Sequence, residues 1–355
     1  LTLSDISNLR LHNQKIEVTT FTKPNEVVSW MGAMQAQDFT MSKWAIGQRM
    51  LDATDETIEA ALNDGLIIRT HLLRPTWHLV NAEDIYWMLE LTAPRIKSSM
   101  KSRDRQLGLT PDVLNKSFGL LENQLSNGIS HSRDQIAEIL NASGIKTDDN
   151  RLSHILMNAE LDGLICSGRK TSNKPTYGLL SERVPFHKIL LKDESLSELA
   201  KRYFASHGPA TLKDFTWWSG LSVADATKAL SLVEPDFISV PVGSEKYWLK
   251  AEDSYFNYDS NSAHLMPAFD EFLISYRDRN ASLELVHNRK AISNNGIFYP
   301  IIVVNGQVAG TWKRTTQNDK FKIETSFFAA INKKFSSLIE KEIENYSRFL
   351  KKTIH

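Results

Sequence analysis

DNRLSHILMNAELDGLICSGRKTSNKPTYGLL, residues 149–180, is the stretch whose reading decides the fold. Asp149–Glu160 reads as a helix. Leu164–Cys166 and Tyr177–Leu180 read as two short strands joined by the polar loop Arg169–Lys174. Ahead of them, Pro111–Ser126 and Ser132–Leu140 also have helical character. Three helices followed by a hairpin with a polar tip is the order of a winged helix.

The same order recurs on both sides. Thr54–Leu62 has helical spacing at Ile58, Ala61 and Leu62, and it ends at Asn63-Asp64-Gly65, where Gly65 can take a left-handed cap. Leu66–His71 and Thr76–Val80 follow as strands around Pro75, and a further helix starts near Ala82 with Trp87, Met88 and Leu91 on one face. Downstream, Leu196–Ser206, Thr211–Ser219 and Val223–Leu232 precede the strand-like runs Phe237–Val240 and Tyr247–Lys250. The repetition lies in element order and not in residue identity. After about Ser260 the pattern changes to the short alternating runs Leu283–Val286, Ile297–Val304, Gln307–Arg314 and Lys320–Thr325. Asn305-Gly306 between two apolar runs is a strong hairpin signal. Ile331–Leu350 then reads as a long amphipathic helix with Ile331, Phe335, Leu338 and Ile339 on its apolar side. The expected fold is α+β and mainly α. It has three tandem winged-helix modules (1–108, 109–190 and 191–255) and a C-terminal β domain with a closing helix (256–355).

Composition narrows the function. The 355 residues include 42 Lys+Arg and 42 Asp+Glu, so net charge is zero and bulk charge cannot coat nucleic acid, although a local basic groove is allowed. Cys166 is the one cysteine, which excludes an intramolecular disulfide and a cysteine-rich zinc site and fits a reducing cytoplasm. Apolar stretches such as Ile301–Val304 fall far short of the ~20 residues that span a bilayer. Leu1–Arg10 lacks a signal-peptide core, and no membrane partner is expected.

Among candidate site residues, Met34-Gln35-Ala36-Gln37-Asp38-Phe39 stands out. In an extended segment Gln35 and Gln37 point the same way, and two amides on one side can hold a water or a polar ligand. A solvated surface pair is the bland alternative. Asp38 is the one ionisable group in the segment and suits the N-cap of a helix Thr40–Met50. The second cluster is Arg69-Thr70-His71-Leu72-Leu73-Arg74-Pro75-Thr76-Trp77-His78. Arg69 and His71 share a strand face. Arg69, His71, Arg74 and His78 beside Trp77 could accept phosphate and a base, whereas a half-buried hairpin with hydrogen-bonded histidines explains the residues equally well. No third ligand lies near the histidines, so neither a metal nor a cofactor is expected. Basic runs occur at Arg95, Lys97, Lys101, Arg103 and Arg105 against Asp104; at Arg169, Lys170 and Lys174; and at Arg277, Arg279, Arg289 and Lys290. Each can neutralise phosphates locally or be plain solvated surface.

Taken together, these residues resemble the AlkZ/YcaQ-like DNA glycosylases. The resemblance is carried by Met34-Gln35-Ala36-Gln37-Asp38, by Arg69-Thr70-His71 with Arg74-Pro75-Thr76-Trp77-His78, and by His207-Gly208-Pro209-Ala210-Thr211 with Asp214-Phe215 and Trp218. It continues through Leu265-Met266-Pro267-Ala268-Phe269-Asp270-Glu271 to Gly310-Thr311-Trp312. The Gln-x-Gln form is similar to the AlkZ-like branch. The resemblance implies a C-shaped cradle of winged helices around duplex DNA and a β-barrel-like C-terminal domain. It further implies monofunctional excision of alkylated bases, N7-alkylguanine among them, in base-excision repair, with cross-linked bases as substrates in some members. Gln35 and Gln37 carry over as the catalytic pair, with Asp38 as possible support, and the basic residues as DNA contacts. The expected partner is duplex DNA containing alkylated bases, the expected state a monomer, and the expected location the cytoplasmic nucleoid. A non-catalytic winged-helix regulator and a drug-binding resistance protein are the competing readings.

Overall fold

The computed structural model describes residues 1–170, 174–255, 261–317 and 320–354. It is a mixed helix and sheet protein that divides into two compact units. One comprises residues 1–59, 196–218 and 222–355, and the other residues 60–195 and 219–221. Among the described residues no helix is long and apolar enough to cross a membrane.

The second unit contains the quoted stretch. Thr110 caps the helix Pro111–Leu125 by accepting from the Val113 N–H, with Pro111 in the first turn, where its missing N–H costs nothing. Ser132 and Gln135 form a reciprocal capping box at the helix Arg133–Ala142. The third helix is Arg151–Leu161. It starts two residues later than its apolar pattern suggests because Asp149 and Asn150 take left-handed backbone angles, φ 50° and 68°, which these short polar side chains tolerate. Strands Ile165–Ser167 and Thr176–Leu179 pair antiparallel, and His131–Ser132 adds a third strand on the far side of Thr176–Leu179. Leu121, Leu125, Ile136, Leu140, Ile155 and Ile165 fill the core between helices and sheet. The tip of the loop Arg169–Lys174, residues 171–173, lies outside the described residues. In the same unit Ile67–Leu72 and Thr76–Asn81 form the expected hairpin, followed by the 22-residue helix Ile85–Gln106.

The first unit holds the helices Leu3–Asn13, Pro24–Met31, Phe39–Gly47 and Val223–Val233, and most of the helices Lys192–His207 and Leu212–Ser219. Ile238–Val242 pairs with Glu245–Leu249, and Ala210 bridges to Trp248. Its largest sheet has five strands in the order Thr353–Ile354, Lys320–Phe327, Gln307–Gln317, Ile301–Val304, Ala263–Met266. Val304 pairs with Gln307 around Asn305 and Gly306, both at positive φ (48° and 76°), as an Asn-Gly turn requires.

The C-terminal sheet differs from expectation in two ways. It is open rather than barrel-like: its two ends, Ala263–Met266 and Thr353–Ile354, do not pair with each other. The helix Lys333–Leu350, burying Phe335, Ile339, Tyr346 and Phe349, packs on Ala263–Met266 instead. Leu283–Val286 also forms no strand. Leu285–His287 is a single 3₁₀ turn with Leu285 and Val286 exposed, while Leu283 alone faces the core.

His264 sits on this sheet opposite Val303, with its Nε2 buried and without a hydrogen-bond partner among the described residues. Burial, helped by the positive charge of Arg49, pulls its pKa from 6.5 down to about 4. The unfolded chain therefore takes up the proton first. The contribution of neutral His264 is complete above about pH 6.5 and is lost as pH falls toward 4, by about 2–3 kcal/mol. Urea unfolding at pH 7 and pH 4.5 should show a smaller acid loss for His264→Gln than for the unsubstituted protein. An equal loss in both would place the acid sensitivity elsewhere.

Candidate active site

The helix Pro24–Met31 stops at Gly32, whose φ of 78° is left-handed and whose Cβ position lies 3.3 Å from the Trp218 ring. Glycine suits both constraints. The chain then runs through Ala33, Met34 and Ala36, all fully buried, which pins the segment from below. The extended stretch is only Met34–Gln35 and bends at Gln37 and Asp38. The two glutamines are thus not related by a plain strand repeat. Gln35 is 5% exposed, whereas Gln37 is at the surface. Asp38 caps the helix Phe39–Gly47, its Oδ1 accepting from the Met41 N–H at 3.0 Å. That helix is anchored on its other side by Trp44, which donates to the Leu265 carbonyl and packs on Tyr346 and Phe349.

Behind the motif lies a set of buried polar groups that local sequence patterns do not reveal. Glu271, 2% exposed, accepts the main-chain N–H of Gln35 on Oε1 at 2.5 Å. Its Oε2 accepts from Trp218 Nε1 at 3.2 Å and from the Ser275 hydroxyl, and lies 3.5 Å from His207 Nε2. Burial opposes the carboxylate charge. His207, Ser275 and the Gln35 amide outweigh it and hold the carboxyl below the usual range. Burial also lowers the pKa of His207, against the pull of Glu271. Next to Glu271, Asp270 receives both terminal nitrogens of Arg49, at 2.9 and 3.0 Å. Arg49 also donates to the Ala45 carbonyl and to Gln14. Gln14 donates to the Tyr276 hydroxyl, which donates to the His207 carbonyl. The one signal for this network in the sequence is the acidic pair Asp270-Glu271 inside an otherwise apolar segment.

The hairpin cluster lies in the second unit. Arg69 lies 4.0 Å over the Trp77 ring, and the His71 ring centre is 4.1 Å from it. Arg69 and His71 do share a face. However, His71 is 6% exposed and its Nδ1 bonds to the buried Glu160, while His78 is fully buried with Nδ1 3.0 Å from the Thr76 carbonyl. Burial raises the Glu160 pKa against the pull of His71. Both imidazoles thus meet protein groups through Nδ1. Arg69 and Arg74 are the half-buried members of this cluster.

Among the basic runs, Arg95, Lys101, Arg103 and Arg105 are exposed along Ile85–Gln106, and Lys97 pairs with Asp162. Asp104, the lone acid of that run, turns inward to His154 at 2.6 Å and Asn158, so the outer face is more basic than the sequence shows. Arg169, Lys170 and Lys174 are exposed, but Lys174 has Asp134 at 3.5 Å. Arg277 is exposed and Arg279 partly so, each 5.7 Å from the Trp217 ring centre. Burial pushes the Cys166 thiol up to about 12, which suits a core residue and not a nucleophile. Among the described residues no group of three or more His, Cys, Asp or Glu side chains is placed to hold a metal ion.

The family model described as DNA glycosylase AlkZ-like matches residues 28–349, a span that includes the glutamine motif, the hairpin and the acidic pair. The chain belongs to the AlkZ-like DNA glycosylase family. A Streptomyces sahachiroi relative of this family, named an interstrand DNA cross-link repair glycosylase, is 23% identical over 326 residues, covering 87% of this chain and 86% of the relative. The solved structure of Streptomyces sahachiroi DNA glycosylase AlkZ shares the fold, with a TM-score of 0.82 at 20% identity, over 100% of this chain and 99% of that one.

Proposed function

We propose that this AlkZ-like protein is a monofunctional glycosylase that hydrolyses the N-glycosidic bond of alkylated bases in duplex DNA, N7-alkylguanine in particular, and leaves an abasic site. Gln35 and Gln37 hold the attacking water. The observation that carries this reading is the Gln35–Gln37 segment itself: a glutamine at the surface, next to one whose main chain is bonded to a buried carboxylate.

The chemistry explains why amides suffice. N7-alkylation makes the base cationic, so the electron pair of the breaking C1′–N9 bond neutralises it as it leaves, without a general acid. The remaining tasks are to place water near C1′ and to stabilise the positive charge developing on the sugar. Oriented amide oxygens do both by position and fixed dipoles. The water oxygen bonds to C1′ and its proton passes to solvent. Asp38 spends Oδ1 on the helix cap, so any help to the water would come from its other oxygen.

Three tandem winged-helix modules are the organisation proposed for DNA binding. The element order helix, short strand, helix, helix, hairpin supports it over residues 111–179, and residues 192–249 repeat it with the Ala210 bridge in the short strand's place. The name of the Streptomyces sahachiroi relative supports cross-linked bases as further substrates.

The test uses duplexes carrying one N7-methylguanine or one mustard-type cross-link. Base release followed by strand cleavage only after hot alkali is expected. Cleavage without alkali would indicate a lyase, and no release from either duplex would overturn the reading. For binding, replacing Arg169, Lys170 and Lys174 together should flatten the dependence of affinity on salt. The log–log slope should drop by up to about three, because each of the three cations can supply one phosphate contact worth about 0.9. An unchanged slope would take this loop off the DNA backbone.

A further inference from the structure

We propose that Glu271 is the positioning residue of the glutamine motif, its carboxylate fixing Gln35 through the main chain; the proposal rests on the reading of Gln35 and Gln37 as the water-holding pair. The two carboxylate oxygens divide their work. Oε2 is tied to the frame by the Trp218 ring nitrogen and the Ser275 hydroxyl, with His207 at 3.5 Å. Oε1 is aimed at the Gln35 N–H at 2.5 Å. A carboxylate is the side chain that accepts on both ends, since an amide in its place would turn an NH₂ toward one set of donors. Hydrogen bonds to a charged acceptor are also the stiffer kind.

Stability alone is a poor reason for such a group. Burying a carboxylate is costly, and well-packed apolar replacements of buried charges are often neutral or stabilising. What the charge supplies here is placement. Its neighbour Asp270 does the same for the other side of the motif, because Arg49 links Asp270 to the Ala45 carbonyl in the helix that Asp38 caps. Adjacent acids thus grip Gln35 and the helix that follows the motif. The position of Gln35 follows from a residue 236 positions away in the chain.

The experiment compares single-turnover release of N7-methylguanine by the unsubstituted protein, Glu271→Gln, Gln35→Ala and the double variant, alongside affinity for an uncleavable duplex. Misplacing a reacting group by about 1 Å costs on the order of 10²-fold, so Glu271→Gln should lose up to ~10²-fold in rate with affinity unchanged. If Glu271 acts through Gln35, adding Glu271→Gln to Gln35→Ala should change the rate by less than about twofold. The ¹H–¹⁵N spectrum gives a readout independent of catalysis: the Gln35 amide proton should be strongly downfield and move upfield in Glu271→Gln. Ser275→Ala, which removes one donor to Oε2 and leaves the charge, serves if Glu271→Gln does not fold, and its smaller loss should vanish in the Gln35→Ala background. Full activity in Glu271→Gln, equal losses with and without Gln35, or an unmoved Gln35 amide would each overturn the proposal. Absence of base release by the unsubstituted protein would instead overturn the glycosylase reading, with the amide shift still deciding whether Glu271 grips Gln35.

Discussion

Gln37→Ala is expected to slow single-turnover release of N7-methylguanine by about 10²-fold, toward the lower end of the range for losing one preorganised hydrogen bond, because the bond to a cationic base is already weak. Gln35→Ala should cost a similar factor. The two substitutions differ in their side effects. Gln37 is at the surface, so its variant should unfold at the same temperature as the unsubstituted protein, whereas Gln35 is buried and its variant should melt somewhat lower. The double variant should fall short of the product of the singles, since in the proposed mechanism both amides serve one water. Affinity for undamaged duplex should hardly change, because neither side chain is charged. Asp38→Asn is the control. Asn caps helices as well as Asp, so the substitution keeps the Met41 bond while removing the charge. Retained activity assigns Asp38 to the cap. Full activity in the double glutamine variant, or loss confined to Asp38→Asn, would move the chemistry off the glutamine pair.

The largest expected stability effect is at Arg49 and Asp270, each essentially inaccessible to solvent and joined by two hydrogen bonds. Arg49→Met or Asp270→Leu alone strands a buried charge and should cost about 3–5 kcal/mol in urea unfolding, whereas removing both should cost much less than the sum. The single variants should also lose excision activity at temperatures where they remain folded, because Arg49 holds the Ala45 carbonyl at the end of the helix that follows the motif. Additive losses would mean that the two side chains do not act as a pair, and unchanged activity in folded single variants would confine them to stability.

Helices, hairpins and their order along the chain were determined by the sequence alone, because each depends on neighbours a few residues apart. The run 149–180 carries its helix, its two strands and its polar loop in local periodicity, and Asn305-Gly306 carries its turn in the φ values those residues accept. The motif Gln35-Ala36-Gln37 was visible for the same reason. Tertiary structure decided what distant residues do to one another. It turned Asp104 inward to His154 and left a more basic helix face outside, and it buried His71 and His78 against protein partners where the sequence left phosphate contact and hydrogen-bonded histidines equally open. It left the C-terminal sheet open, since a helix rather than another strand covers Ala263–Met266. Above all, it brought Glu271 to the amide of Gln35 and Arg49 to Asp270. A buried charge is stable only where its partners converge, and that convergence joins residues hundreds of positions apart, which no local pattern records.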